Sequence, residues 1–146
     1  LELFARKLGI DEQVEFIGWE KNVPTIYADL DILVLTSMNE GTPVSIIEAM
    51  ASSVPVITTG VGGVKDLLGK IEMNSNKNMG YRLCERGILC DKNNPESLAD
   101  AIEHLIQFQK NKINMNIINA KEFVVKNYSD IRLVKDIENL YMTLIK

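Results

Sequence analysis

Read from its first residue, the chain alternates short apolar runs with stretches of helical period. Leu1, Phe4, Ala5 and Leu8 recur at three- and four-residue intervals and Gly9 supplies a stop, which predicts a helix over 1–8. Val14, Phe16 and Ile17 predict a short strand ending at Gly18-Trp19. Pro24 stands where the first turn of a short helix to Ala28 tolerates it. After Asp31, the run Ile32 to Leu35 is continuously apolar, as in a strand covered on both faces of a parallel sheet. A helix over 43–52, a strand over 54–58 and a short helix over 64–68 follow.

Residues 69–80 are polar, Asn-rich and aperiodic, and read as a long mobile loop. Tyr81 to Cys84 and Ile88 to Cys90 flank the turn Glu85-Arg86-Gly87 as two short strands. Helices are expected from Asn94 to about Lys110, over 113–127 and over 129–145. The last carries Leu133, Val134, Ile137, Leu140, Tyr141 and Leu144 as a stripe expected to be buried. Strands that alternate with helices predict an α/β, Rossmann-like three-layer domain with a mainly parallel sheet. Such sheets bind ligands at the carboxyl ends of their strands. That singles out Gly18-Trp19, Thr36 to Ser45 and Thr58 to Gly63.

Composition narrows the partners. At 146 residues the chain is one domain with room for a real core, and a net charge of −4 gives no footprint for nucleic acid. No apolar run approaches the ~20 residues of a membrane span, so the expected setting is cytoplasmic. At most there is peripheral contact with the inner face of a membrane. Cys84 and Cys90 come without a secretory signal, and the sole histidine, His104, lies far off; free structural thiols are expected. The chain opens mid-helix, without Met, N-cap or preceding strand, and is expected to be a piece of a longer protein.

The segment with chemistry in it is Thr36 to Glu48, TSMNEGTPVSIIE. A buried strand ends, a polar loop crosses the sheet edge and a helix begins. Thr42 is the expected N-cap and Pro43 the first helical residue, which leaves the N–H groups of Val44 and Ser45 directed at an anion. Gly41 lets a ligand approach the backbone closely. Glu48, one turn beyond Ser45, tilts back toward the helix start, and Glu40 approaches from the other side. Two carboxylates would repel a phosphate between them unless they accept hydrogen bonds from hydroxyls. A diphosphate flanked by sugar rings meets that condition.

The stretch EGTPVSIIEAMASSVPVITTGVGGVKDLL resembles the signature of the group 1, or family 4, retaining glycosyltransferases of the GT-B fold. Their hallmark is a pair of glutamates separated by seven residues, here Glu40 and Glu48. VEFIGW, ADLDILVLTS and ERGILC with NPESLADAI follow in the family's order, and the likeness weakens over 69–80 and 111–127. The resemblance implies the C-terminal, nucleotide-sugar-binding half of a two-domain enzyme, lacking its first strands. Glu40 would serve catalysis by contacting hydroxyls of the donor sugar, and Glu48 would bind the ribose. Gly41, Thr42, Pro43, Val44 and Ser45 would hold the sugar and diphosphate, Gly18-Trp19 would lie against the base, and Thr59 to Gly63 would line the same cleft. The implied reaction transfers the sugar to an acceptor hydroxyl with retention, without metal or other cofactor.

The family's diphosphate-binding Arg and Lys lie upstream of this region, as does the acceptor-binding N-terminal domain. The chain alone is therefore expected to be inactive. A non-catalytic nucleotide-sugar-binding module and a sugar-nucleotide epimerase are the rival readings. Asp29-Leu30-Asp31 spells a metal-binding Asp-x-Asp, but it stands at the amino end of a strand, opposite the ligand edge. Gly60 to Gly63 lacks the full dinucleotide fingerprint and reads as a flexible cleft loop, while His104 is placed at a rim.

Overall fold

The computed structural model describes residues 1–72, 80–108 and 113–145. Its strands β1 (Leu33–Leu35), β2 (Val56–Thr59), β3 (Tyr81–Cys84) and β4 (Gly87–Cys90) form one sheet in the order β1-β2-β4-β3. β1 pairs with β2 and β2 with β4 in parallel, while β3 and β4 close an antiparallel hairpin at the sheet's edge. Parallel neighbours end on the same side. Leu35, Thr59 and Cys90 therefore deliver their following loops to one carboxyl edge.

Helices α1 (Glu2–Leu8), α2 (Val23–Asp29), α3 (Val44–Ala51), α4 (Val64–Leu68), α5 (Pro95–Phe108), α6 (Ile113–Tyr128) and α7 (Asp130–Leu144) complete the chain. Pleating sends successive residues of β2 to opposite faces. Val56 joins Ile46, Met50, Val64, Leu67 and Val124 on one side. Ile57 joins Tyr81, Ile88, Ala101 and Leu105 on the other. All four residues of β2 are buried, which is why this strand reads as an unbroken apolar and β-branched run. The result is the expected three-layer α/β arrangement, with α3 and α6 on one face and α5 on the other.

Three expectations are corrected. Val14 is extended, but residues 14–17 join no ladder among the described residues and are exposed. A strand needs a neighbour for its N–H and C=O groups, and β1 pairs only with β2 here. The apolar stripe of α7 is exposed along its whole length, because the sheet's core is already closed by α3, α5 and α6. The pattern registered an amphipathic helix, not a burial partner. Finally, residues 70–72 are not loop. Ile71 bridges Cys84 and the Glu72 N–H donates to the Leu83 carbonyl at 2.8 Å, extending the hairpin by a further antiparallel segment. The mobility expected of 69–80 falls mostly on residues 73–79, outside the described residues.

The two thiols agree with expectation. Cys84 and Cys90 are free and buried, on opposite sides of the sheet. Burial pushes the Cys84 thiol up to about 11 and raises Cys90 as well, so both are protonated at neutral pH. His104 is half-buried with its ring tilted against Tyr81 at 5.6 Å. Beside the hairpin, Arg86 ties α4 to α6. Its Nε donates to the Leu67 carbonyl at 2.6 Å and an Nη to the Asp66 carbonyl at 3.0 Å, and the guanidinium lies 3.7 Å over the Phe123 ring. The last carbonyls of α4, which no helical N–H reaches, thereby gain a cationic donor.

Candidate functional site

The site is built where β1 and β2 end. Beyond β1, the Ser37 hydroxyl donates to Oε1 of Glu40 at 2.6 Å. The Ser37 carbonyl in turn accepts from the Thr59 hydroxyl at the end of β2, also at 2.6 Å. Thr59 is buried, so the sheet itself fixes Ser37, and Ser37 fixes the half-buried Glu40. A hydrogen bond to an ionised carboxylate is among the stronger kinds.

The two loops at this edge are joined through their backbones. The Gly63 N–H donates to the Gly41 carbonyl at 2.8 Å. A Cβ on Gly62 would stand 1.7 Å from the Glu40 carbonyl oxygen, and one on Gly63 would stand 2.6 Å from that of Gly41. Gly62 also has φ +49, in the region side chains disfavour. The loop expected to be a flexible cleft lining is thus a close-packed brace beneath Glu40-Gly41. By contrast, nothing lies within 4 Å of where a Gly41 Cβ would be. That glycine presents open backbone, as the sequence predicts.

α3 begins one residue later than expected. Pro43 has ψ 116, so it is the N-cap, and Val44 and Ser45 are the first two helical residues. Thr42 does not cap the helix, and no side chain does. A proline N-cap brings no hydroxyl or carboxylate to the helix end. The Ile46 N–H turns back to the Pro43 carbonyl at 3.2 Å. Val44 and Ser45 hold positions whose N–H groups no helical carbonyl can reach. They stand at the positive end of the helix dipole, three and four residues beyond the exposed Gly41.

Glu48 does reach back along α3, and an unanticipated residue steers it. The Tyr27 hydroxyl on α2 donates to Glu48 Oε2 at 3.1 Å and lies 3.2 Å from the Ser45 carbonyl. This places the carboxylate beside the first turn. Tyr27 is 7% exposed, and burial together with the Glu48 carboxylate pushes its hydroxyl up to about 12. It is therefore a permanent donor at neutral pH. Sequence reading passed over Tyr27, and it placed Ser37 and Thr59 in the cleft segments without their bracing roles, because hydroxyls beside apolar runs carry no spacing signal.

Gly18 and Trp19 are not packed into this site. Trp19 is 90% exposed, and Gly18, at φ +64, has nothing within 4 Å of a would-be Cβ. They follow the segment that forms no strand, so no ladder aims them at the carboxyl edge. Asp29 closes α2 and Asp31 precedes β1 at its amino end, away from the loops of the site. Among the described residues no three His, Cys, Asp or Glu side chains gather as metal ligands, and no helix is long and apolar enough to cross a membrane.

Comparison with known proteins supplies the context. The family described as "Glycosyl transferases group 1" matches residues 1–123. N-acetyl-alpha-D-glucosaminyl L-malate synthase of Bacillus anthracis is 27% identical over 142 residues, covering 97% of this chain and 34% of that protein. UDP-Gal:alpha-D-GlcNAc-diphosphoundecaprenol alpha-1,3-galactosyltransferase of Escherichia coli is 25% identical over 144 residues, covering 97% and 33%. The chain thus spans about a third of the length of these curated relatives. Among solved structures, Anabaena HepE in complex with UDP superposes with a TM-score of 0.79 at 21% identity, over 95% of this chain and 35% of that one. Carried by the Glu40–Glu48 segment and by a match over most of its length, the chain belongs to the group 1 glycosyltransferases, as a C-terminal half of the GT-B fold.

Proposed function

We propose that this chain is the donor half of an enzyme that moves a sugar from a UDP- or GDP-linked donor to an acceptor hydroxyl, with retention at the anomeric carbon. One observation carries the reading. Two carboxylates, Glu40 held by the Ser37 hydroxyl of its own loop and Glu48 by the Tyr27 hydroxyl of α2, flank the uncapped start of α3. An anionic diphosphate suits that helix start, and hydroxyl-bearing rings suit the acids at either end.

In this reading Glu48 accepts from the ribose hydroxyls, and Glu40 accepts from hydroxyls of the sugar as its bond to phosphate breaks. Gly41, Val44 and Ser45 stabilise the departing diphosphate through backbone N–H groups, and Thr42 and Pro43 shape the loop that presents them. No metal is required where helix-end amides and cationic side chains do this. Those cations and the acceptor site belong to the acceptor-binding N-terminal domain and the upstream strands, so the chain alone is inactive. Gly18-Trp19 would come against the base once a strand at 14–17 has neighbours. A cytoplasmic enzyme of surface-polysaccharide synthesis, working at the inner face of a membrane, is the setting that fits.

Glu48→Ala should weaken binding of UDP or GDP itself, while Glu40→Ala should weaken only the intact nucleotide sugar. Losing a hydrogen bond to a charged group is worth about 1.5–3 kcal/mol, or roughly 10- to 150-fold in affinity. Calorimetric titration of both variants with nucleotide and nucleotide sugar reads this directly. Unchanged affinities in both variants would sink the assignment. Release of free nucleotide in the presence of acceptor and the N-terminal half separates a transferase from a binding module.

A further inference from the structure

A cleft of about 250 Å³ lies between α4 and the β3–β4 hairpin, apart from the shelf of Gly41 to Ser45. Lys65 and Leu68 of α4 form one wall, and Leu89 of β4 is part of the floor. The Ile71–Cys84 bridge brings Ile71, Arg82 and Cys84 across from them. Asp91 and Lys92, just past β4, close the end. The cleft exists because the antiparallel Ile71–Cys84 bridge sets the start of this segment beside β3.

Its charge is unlike that of the molecule. Lys65, Arg82 and Lys92 line it from three different elements with Asp91 as the one lining carboxylate, while Glu72, Glu85 and Arg86 stand near its Cys84 side. Asp91 forms a partly exposed ion pair with Arg82, which among the described residues leaves Arg82's remaining N–H donors free for a ligand. Buried Leu68, Cys84 and Leu89 lie beneath these cations. A low-dielectric floor under like charges concentrates their field in the opening.

We propose that this cleft binds a soluble phosphomonoester. A carboxylate would engage one cation, whereas a tetrahedral dianion offers oxygens toward all three, and guanidinium geometry favours phosphate. The volume falls just below the ~300 Å³ at which ordinary ligand pockets begin, enough for a phosphate and one ring over the apolar floor. The site shares Gly60 with the loop expected to line the donor cleft, but none of its charged residues belongs to that loop or to the Glu40–Glu48 segment.

The test is a titration of the isotopically labelled chain with glucose 1-phosphate and with inorganic phosphate, following backbone amides. The amides of Lys65, Arg82 and Lys92 should shift. The double variant Lys65→Gln/Lys92→Gln changes two exposed side chains and so keeps the fold; it should bind at least tenfold more weakly, while Glu48→Ala retains the affinity. Equal binding by the double variant, or shifts confined to Gly41 to Ser45, overturns the proposal. So does retention on phosphatidylglycerol vesicles without binding of the free phosphomonoester. Failure of both UDP and GDP to bind would remove the donor reading and leave this site standing.

Discussion

Gly62→Ala is the substitution by which the brace under Glu40 is most sharply tested. The new Cβ would stand 1.7 Å from the Glu40 carbonyl oxygen, where ordinary contact begins near 3.4 Å. The two loops must therefore part by well over an ångström, and the Gly63 to Gly41 hydrogen bond of 2.8 Å cannot survive that. Holding a side chain at φ +49 costs about 1–2 kcal/mol. The lost hydrogen bond adds about 1 kcal/mol. Together these lower stability by about 2–3 kcal/mol, or roughly 4–12 °C in Tm for a domain of this size. Thermal unfolding by circular dichroism measures it. Gly41→Ala is the matched control, because nothing lies within 4 Å of its Cβ position. It should leave Tm nearly unchanged yet weaken nucleotide-sugar binding by filling the shelf, whereas Gly62→Ala should lose both. A Gly62→Ala protein with the parental Tm and affinity would refute the brace.

Tyr27→Phe should weaken nucleotide binding about tenfold with little loss of stability, since Glu48 is exposed and water replaces the lost donor; calorimetry distinguishes the two effects. The same hydroxyl, raised in the folded chain from 10 to about 12, contributes stability that is complete below pH 10 and is lost as pH rises toward 12. Alkaline unfolding of Tyr27→Phe should therefore be less steep across that window than that of the parent chain. Arg86→Ala removes two donors from the end of α4 and the contact over Phe123, and should destabilise by about 2–4 kcal/mol in urea unfolding. Arg86→Lys should recover less than half of that, because an ammonium cannot reproduce the planar fork.

What could be read in advance was whatever depends on local pattern. Ile32 to Leu35 announced a strand covered on both faces, but β1 is only half-buried with Val34 exposed, and it is β2 that helices cover on both. The spacing of Glu40, Gly41, Pro43 and Glu48 announced a loop and a helix start, off by a single residue at Pro43. What failed depended on partners. Among the described residues, 14–17 have strand composition but no strand beside them to share hydrogen bonds, and the α7 stripe has no core left to enter. The supports of the site were invisible for a different reason. Thr59 acts on Ser37 across 22 residues and Tyr27 on Glu48 across 21, and only the sheet and the packing of α2 on α3 bring these groups near. Gly62 and Gly63 read as flexibility when their actual role is contact.

The central claim is that Gly41 to Ser45 forms an anion shelf between Glu40 and Glu48. The most direct measurement is titration of the isotopically labelled chain with UDP and with GDP while its backbone amides are followed. At saturation, one or both nucleotides should move the Gly41, Thr42, Val44 and Ser45 amides most, with Gly63 moving through its bond to Gly41. If neither nucleotide moves those amides, or the largest shifts lie elsewhere, the shelf is not the nucleotide site.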